Sequence, residues 1–334
     1  MGSEISPEPL KAGALPLSHG VSWPLSSPAS AGKRLEDRSA PADQESAPED
    51  RLHLYLSPHF DDAILSCGGL IYAQCQAVER AGVLTLCAAL PDPDALSPLA
   101  RRYETEWSNA SGGVASRREE NAAALSAWGV SSWEGGAADA IYRNRLGAPY
   151  YATRQELFGE PDPEDAAAVL TVWERQVKQI AREHGHAVLL YAPLGVGGHV
   201  DHELARRLAQ LMAEAGCEVR FYEDYPYAEL TPGGVREAMA RFGLGPHAWT
   251  CHTVAIDVRA KIEAIEQYRS QLGRVFGCEK DLIRRVSEFT AGTACAFSAR
   301  ERMRRRLAPS GLRLRLWRRS LGYHAHAERI WRLT

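Results

Sequence analysis

Two short stretches of this 334-residue chain hold the side chains best suited to chemistry: Ser57-Pro58-His59-Phe60-Asp61-Asp62 and Gly195-Val196-Gly197-Gly198-His199-Val200-Asp201-His202. A zinc ion that acts on a substrate takes about three protein ligands from histidine and carboxylate and keeps a position for water. His59, Asp62 and His202 can supply that set. The i to i+3 spacing of the first two points them the same way if a strand turns there into a helix, and a histidine from a neighbouring loop closes the triangle. Asp61 is then placed as general base for a metal-bound water, whose pKa zinc lowers from about 15.7 to about 7. His199, one helical turn before His202, is placed to donate to an oxyanion or to protonate a leaving amine, with Asp201 holding its ring in the charged form. Two histidines and a carboxylate also suit iron, cobalt or nickel, so zinc shares the expectation with Fe2+ and other divalent metals.

Each cluster has a plainer reading. A histidine after a strand is often only hydrogen-bonded, and an aspartate at a helix start is a favoured cap and dipole partner. Two such clusters, both in strand-to-helix connections that a parallel sheet would bring to one edge, argue for a site. Gly195 to Gly198 could cradle a phosphate, but the run lacks the G-x-G-x-x-G spacing and better suits a close approach of backbone to metal or substrate.

The elements that must position these residues follow from the apolar pattern. Strands are expected at Leu52–Leu56, Val83–Leu90, Ala187–Ala192 and Glu218–Glu223, with helices at Ala63–Ala77, Ser116–Trp128, about 164–184 and about Val200–Ala215. This alternation predicts an α/β fold, Rossmann-like, with a mainly parallel sheet and helices on both faces, whose ligands bind outside the carboxyl ends of the strands. Further on, His252–Val258 reads as a strand and Ala260–Gly273 as a helix. Residues 1–50 hold seven of the nineteen prolines and no apolar period. They read as a disordered leader, which leaves 51–334 as a single domain.

Composition bounds the function. Hydrophobic residues at 45% and charged residues at 24% describe a globular protein rather than a disordered or fibrous one. Residues 298–319 carry nine arginines, among them Arg300, Arg302, Arg304, Arg305, Arg306, Arg313 and Arg315. Against a formal net charge of -3, with only Trp317 among them as an aromatic, they read as a solvated face rather than a nucleic-acid patch. No apolar run is long enough to span a bilayer and no secretory signal opens the chain, so a cytoplasmic home is expected. Seven cysteines without a CxxC pair indicate reduced thiols, not a disulfide framework or a thiolate zinc site.

The two motifs resemble those of the PIG-L/LmbE-like zinc-dependent N-deacetylases, (P/A)-H-P-D-D-E and H-x-D-H, standing here as Pro58-His59-Phe60-Asp61-Asp62-Ala63 and His199-Val200-Asp201-His202. The resemblance, over about residues 52–270, implies His59, Asp62 and His202 as zinc ligands, Asp61 as base, and His199 as oxyanion donor with Asp201 behind it. Arg117-Arg118-Glu119-Glu120 is similar to the family's R-R-x-E segment, and Asp139-Ala140-Ile141-Tyr142-Arg143 falls where the family places a substrate-binding aspartate. Arg117, Arg118, Asp139 and Arg143 are therefore expected substrate contacts. Two departures concern the pocket rim: Phe60 either presents its ring to an acyl group or sugar face or packs inward, and Ala63 removes a negative charge from the mouth. The expected activity is removal of an N-acyl group, most simply acetyl, from an amino sugar or small glycosylated metabolite. The alternatives are an amidase for a larger acyl group or thiol conjugate, and a non-catalytic nucleotide- or sugar-binding module.

Overall fold

The computed structural model describes residues 51–108, 113–185, 187–307 and 326–333. Its elements run β1 (Leu52–Ser57), α1 (Asp62–Gln76), β2 (Arg80–Thr85), α2 (Pro98–Ser108), α3 (Gly113–Ser126), β3 (Ser131–Glu134), a hairpin of β4 (Asn144–Arg145) and β5 (Ala148–Pro149), α4 (Arg154–Leu157), α5 (Pro163–Glu183), β6 (Val188–Pro193), α6 (Val200–Glu214) and β7 (Glu218–Tyr222). They continue with α7 (Tyr227–Leu230), α8 (Gly234–Ala240), β8 (Trp249–Ala255), α9 (Val258–Ile265), α10 (Arg269–Val275), α11 (Glu279–Leu307) and β9 (Ala327–Leu333).

Seven strands form one sheet in the order β3-β2-β1-β6-β7-β9-β8. The first five pair in parallel, and β9 runs antiparallel to both β7 and β8. The chain works outward from β1 to β3 and then restarts at β6 on the other side of β1, so the order reverses between β1 and β6. At such a switch point a crevice opens outside the carboxyl ends of the strands. Leu52 pairs with Val188 and Tyr55 with Tyr191, so the loops leaving β1 and β6 emerge side by side.

Strand alternation divides the core between the two faces. Leu54, Leu56, Leu84 and Leu190 pack with Trp173 and Val177 of α5 and Leu204 and Leu208 of α6. Tyr55, Val83, Leu189 and Tyr191 pack with Ile64 and Ile71 of α1, Ile262 and Ile265 of α9 and Val286 of α11. A third cluster, including Phe60, Tyr103, Ile141, Tyr142, Tyr151 and Val200, lies beside the crevice.

The expected α/β class holds, with differences of detail. The second strand ends at Thr85 rather than Leu90, because the chain then turns across the end of β1: Leu86 and Cys87 donate to the carbonyls of Ser57 and Pro58. The helix expected over Ala260–Gly273 is two helices, α9 and α10, broken beside Tyr268, whose hydroxyl donates to Asn121 on α3. The last strand, β9, is bolted to α1 by a buried pair: Glu328 accepts from Lys261 Nζ at 2.5 Å and from the backbone N–H groups of Gly69 and Leu70, while Lys261 also donates to the Ser66 carbonyl. Gly69 is small because a β-carbon there would sit 2.6 Å from Ile256. The expected leader lies outside the described residues, as do positions 308–319 of the arginine-rich run; 298–307 continue α11. Among the described residues no helix is long and apolar enough to cross a membrane.

Candidate active site

The first loop builds its geometry with short-range hydrogen bonds. Ser57 Oγ accepts from the Ala63 N–H and donates to the His59 carbonyl, so a serine holds the start of α1. Asp61 occupies the N-cap position, yet its carboxylate caps no backbone N–H. Instead Asp61 Oδ1 accepts from Arg117 Nη2 at 3.1 Å, both side chains being buried. This arrangement removes the plain capping explanation for Asp61. Asp62 Oδ2 accepts from the His59 backbone N–H at 2.8 Å and lies 3.0 Å from His59 Nδ1 and 3.2 Å from His202 Nε2. Ligand atoms of His59, Asp62 and His202 thus fall within 4.8 Å of one another; His59, His199 and Asp201 converge as closely.

The outward nitrogens of both imidazoles meet carboxylates. His59 Nε2 lies 3.1 Å from Asp201 Oδ2 and 3.4 Å from Asp139 Oδ2, and His202 Nδ1 lies 2.7 Å from Asp224 Oδ1. Burial alone would lower both histidines, but the facing carboxylates win: Asp139, Asp201 and Asp62 hold His59 well above its ordinary value, and Asp62 and Asp224 push His202 up to about 10. Against its own burial, Asp62 is held well below the usual carboxylate range by His202 and His59. Two imidazoles that share one carboxylate and are each backed by another form a place built for positive charge, and carboxylate backing is how proteins orient metal-ligating histidines. The donor set fits a divalent cation.

His199 caps α6, its Nδ1 accepting from the Asp201 backbone N–H at 3.2 Å. Burial, then the neighbouring charge of His59, lowers its pKa to about 3. The ring is therefore neutral, with its proton on Nε2. The expectation that Asp201 holds His199 in the charged form is corrected here. The Asp201 carboxylate stands 4.0 Å from His199 Nδ1 and serves His59, accepting in addition from the Ala140 N–H and from Arg143 Nη1 at 2.6 Å.

The expected substrate contacts divide. Arg117 and Asp139 reach the site, on Asp61 and beside His59 respectively. Arg118 turns outward to Glu134 and the Ala88 carbonyl. Arg143 is buried and spent on Asp165 and Asp201, where it braces the carboxylate behind His59. Both departures from the motif point inward: Phe60 packs in the cluster beside the crevice with the Arg117 guanidinium 5.9 Å from its ring centre, and Ala63 is core.

Asp224, Tyr227 and Phe158 did not stand out in the sequence. Tyr227 and Phe158 set ring edges against His202 and His199, with centroids 5.6 and 5.2 Å apart. Gly197, at φ +88°, lets the loop pass Tyr227, since a β-carbon there would lie 2.7 Å from the ring. In that glycine run the Val196 N–H donates to Asp224 and the Gly198 N–H to the Gly195 carbonyl, so the phosphate-cradle alternative loses two of its donors. The signal for Asp224 was its place at the carboxyl end of β7, the same rule that singled out the loops after β1 and β6.

The chain resembles known proteins in sequence and in fold. Residues 54–213 match the family model described as PIG-L: GlcNAc-PI de-N-acetylase. The chain is 28% identical over 244 residues to a 2'-N-acetylparomamine deacetylase of Niallia circulans, covering 69% of this chain and 84% of that protein. It is 29% identical over 287 residues to the 2'-N-acetylparomamine deacetylase of Streptomyces fradiae, covering 83% and 88%. Among solved structures, teicoplanin deacetylase in its zinc-inhibited form superimposes with a TM-score of 0.66 at 24% identity, over 85% of this chain and 98% of that one. The A40926 pseudoaglycone deacetylase does so with a TM-score of 0.56 at 24% identity, over 86% and 98%. At these identities the solved structures speak for the fold.

Proposed function

We propose, since the chain is a hydrolytic N-deacetylase acting on a C–N bond and matches the PIG-L family model over residues 54–213, that it removes the acetyl group from an N-acetylated amino sugar of a small glycosylated metabolite, with His59, Asp62 and His202 holding a divalent metal, zinc first among the candidates. The observation that carries this reading is the convergence of those three side chains beside a carboxylate, Asp61, that caps no helix. Amino-sugar substrates are supported by two relatives named for 2'-N-acetylparomamine.

When bound, a divalent metal polarises the amide carbonyl and lowers the pKa of water. Asp61 takes a proton from the attacking water as its oxygen bonds to the amide carbon. Arg117 fixes Asp61 Oδ1 and leaves the other oxygen for that proton. Neutral His199, its Nδ1 occupied by the Asp201 N–H, donates from Nε2 to the carbonyl oxygen as negative charge develops there. The C–N bond then breaks, its electron pair goes to nitrogen, and Asp61 returns the proton to the departing amine. Asp139, at the rim beside His59, is placed to accept from a sugar hydroxyl or ammonium. Acetate release from 2'-N-acetylparomamine and simpler N-acetylated amino sugars tests the assignment: turnover by the parent and its loss in Asp61→Asn are expected, and equal turnover in both contradicts it.

A further inference from the structure

We propose that Asp224 is a positioning residue that makes His202 a ligand through Nε2 and fixes the glycine-rich loop at the same height. The proposal rests on His59, Asp62 and His202 holding a metal. Asp224 is fully buried in the turn between β7 and α7. Its two oxygens serve different donors: Oδ1 lies 2.7 Å from His202 Nδ1, and Oδ2 accepts from the Val196 N–H at 3.0 Å. An ionised carboxylate only accepts, so His202 carries a proton on Nδ1, and Nε2, which faces Asp62 Oδ2 at 3.2 Å, is the nitrogen left to offer its lone pair to a metal in place of a second proton.

The same carboxylate adds an anchor at Val196 to a loop otherwise held by its own Gly198 N–H on the Gly195 carbonyl and by Arg241 Nη1 on that carbonyl. Gly195, Gly197 and Gly198 all have positive φ and no side chains to anchor them, and Val196 between them is fully buried. The next residue extends the brace, since the Tyr225 N–H donates to Ser66 Oγ on α1, one turn beyond Asp62. Residues 224 and 225 therefore register the helix carrying Asp62, the helix carrying His202 and the loop between β6 and α6 against one another.

Asparagine at position 224 offers one oxygen and one NH2 to two N–H donors, so a hydrogen bond is lost in either orientation. If its NH2 faces His202, the ring proton moves to Nε2, the nitrogen needed by the metal. Zinc dissociation constants are measured by competition with a chromophoric chelator for the parent, Asp224→Asn, Asp224→Ala and His202→Ala, alongside thermal unfolding of the metal-free proteins. The expected result is a Kd about 10–100-fold weaker in Asp224→Asn, with activity recovering as zinc is raised to saturation. A Kd within about twofold of the parent in both Asp224 variants, while His202→Ala loses zinc, overturns the proposal and leaves the metal site standing. Parent-like zinc binding by His202→Ala, or none by the parent, overturns both. Should the Asp224 variants not fold, the imidazole nitrogen signals of the zinc-loaded parent decide: protonated Nδ1 with metal on Nε2 is expected, and metal on Nδ1 overturns the proposal.

Discussion

Asp61 and Asp62 are adjacent in sequence and do different work because different partners hold them: Arg117 on Asp61, two imidazoles on Asp62. Asp61→Asn should lower kcat by about 10²–10⁴-fold, the range of a general base, with metal content unchanged, whereas Asp62→Asn should lose metal. A like contrast separates Arg117 from Arg118. Arg117→Ala should cost most of the activity by freeing Asp61, and Arg118→Ala should leave kcat/KM within about threefold, since an exposed ion pair contributes little; equal effects of the two would contradict the placement. The motif residues were legible in the sequence because two loops each carried several ligand types at tight spacing. Arg143 was legible as important but not in its role, because a residue's spacing to Asp139 says nothing of the buried Asp165 and Asp201 that claim its guanidinium.

At the scale of elements, the parallel core and its helices were readable from apolar periodicity, since β1 and β6 are buried along nearly their whole length. The antiparallel return of β9 was not, because Ala327–Leu333 mixes charge with apolar residues and finds its partners far away in sequence. What fixes it is the Lys261–Glu328 pair, whose carboxylate reaches backbone N–H groups of α1. Lys261→Met alone should destabilise the protein by about 3–5 kcal/mol, because it strands a buried carboxylate, and adding Glu328→Leu should recover much of that loss. Denaturant unfolding of the two single variants and the double variant measures this coupling; additive losses would show that the pair does not act as a unit.

For the whole molecule, part of the acid sensitivity follows from a histidine far from the crevice. His53 on β1 accepts from Gln74 Nε2 and sits beside Tyr191, and burial, helped by Arg220 and Arg51, lowers its pKa to about 4. Between pH 6.5 and about 4 the unfolded chain binds this proton and the folded chain does not, so stability falls as pH falls through that window. After allowance for solvent screening, the expected loss is about 1 kcal/mol. His53→Gln should flatten that part of a stability profile; an unchanged slope would assign the acid sensitivity elsewhere. The central claim is that the switch point between β1 and β6 holds a metal, and elemental analysis of protein purified without chelators tests it most directly. About one divalent ion per chain is predicted in the parent and in Asp61→Asn, and almost none in His59→Ala or His202→Ala. Protein that takes up no metal even on reconstitution, or histidine variants that keep it, would contradict the claim.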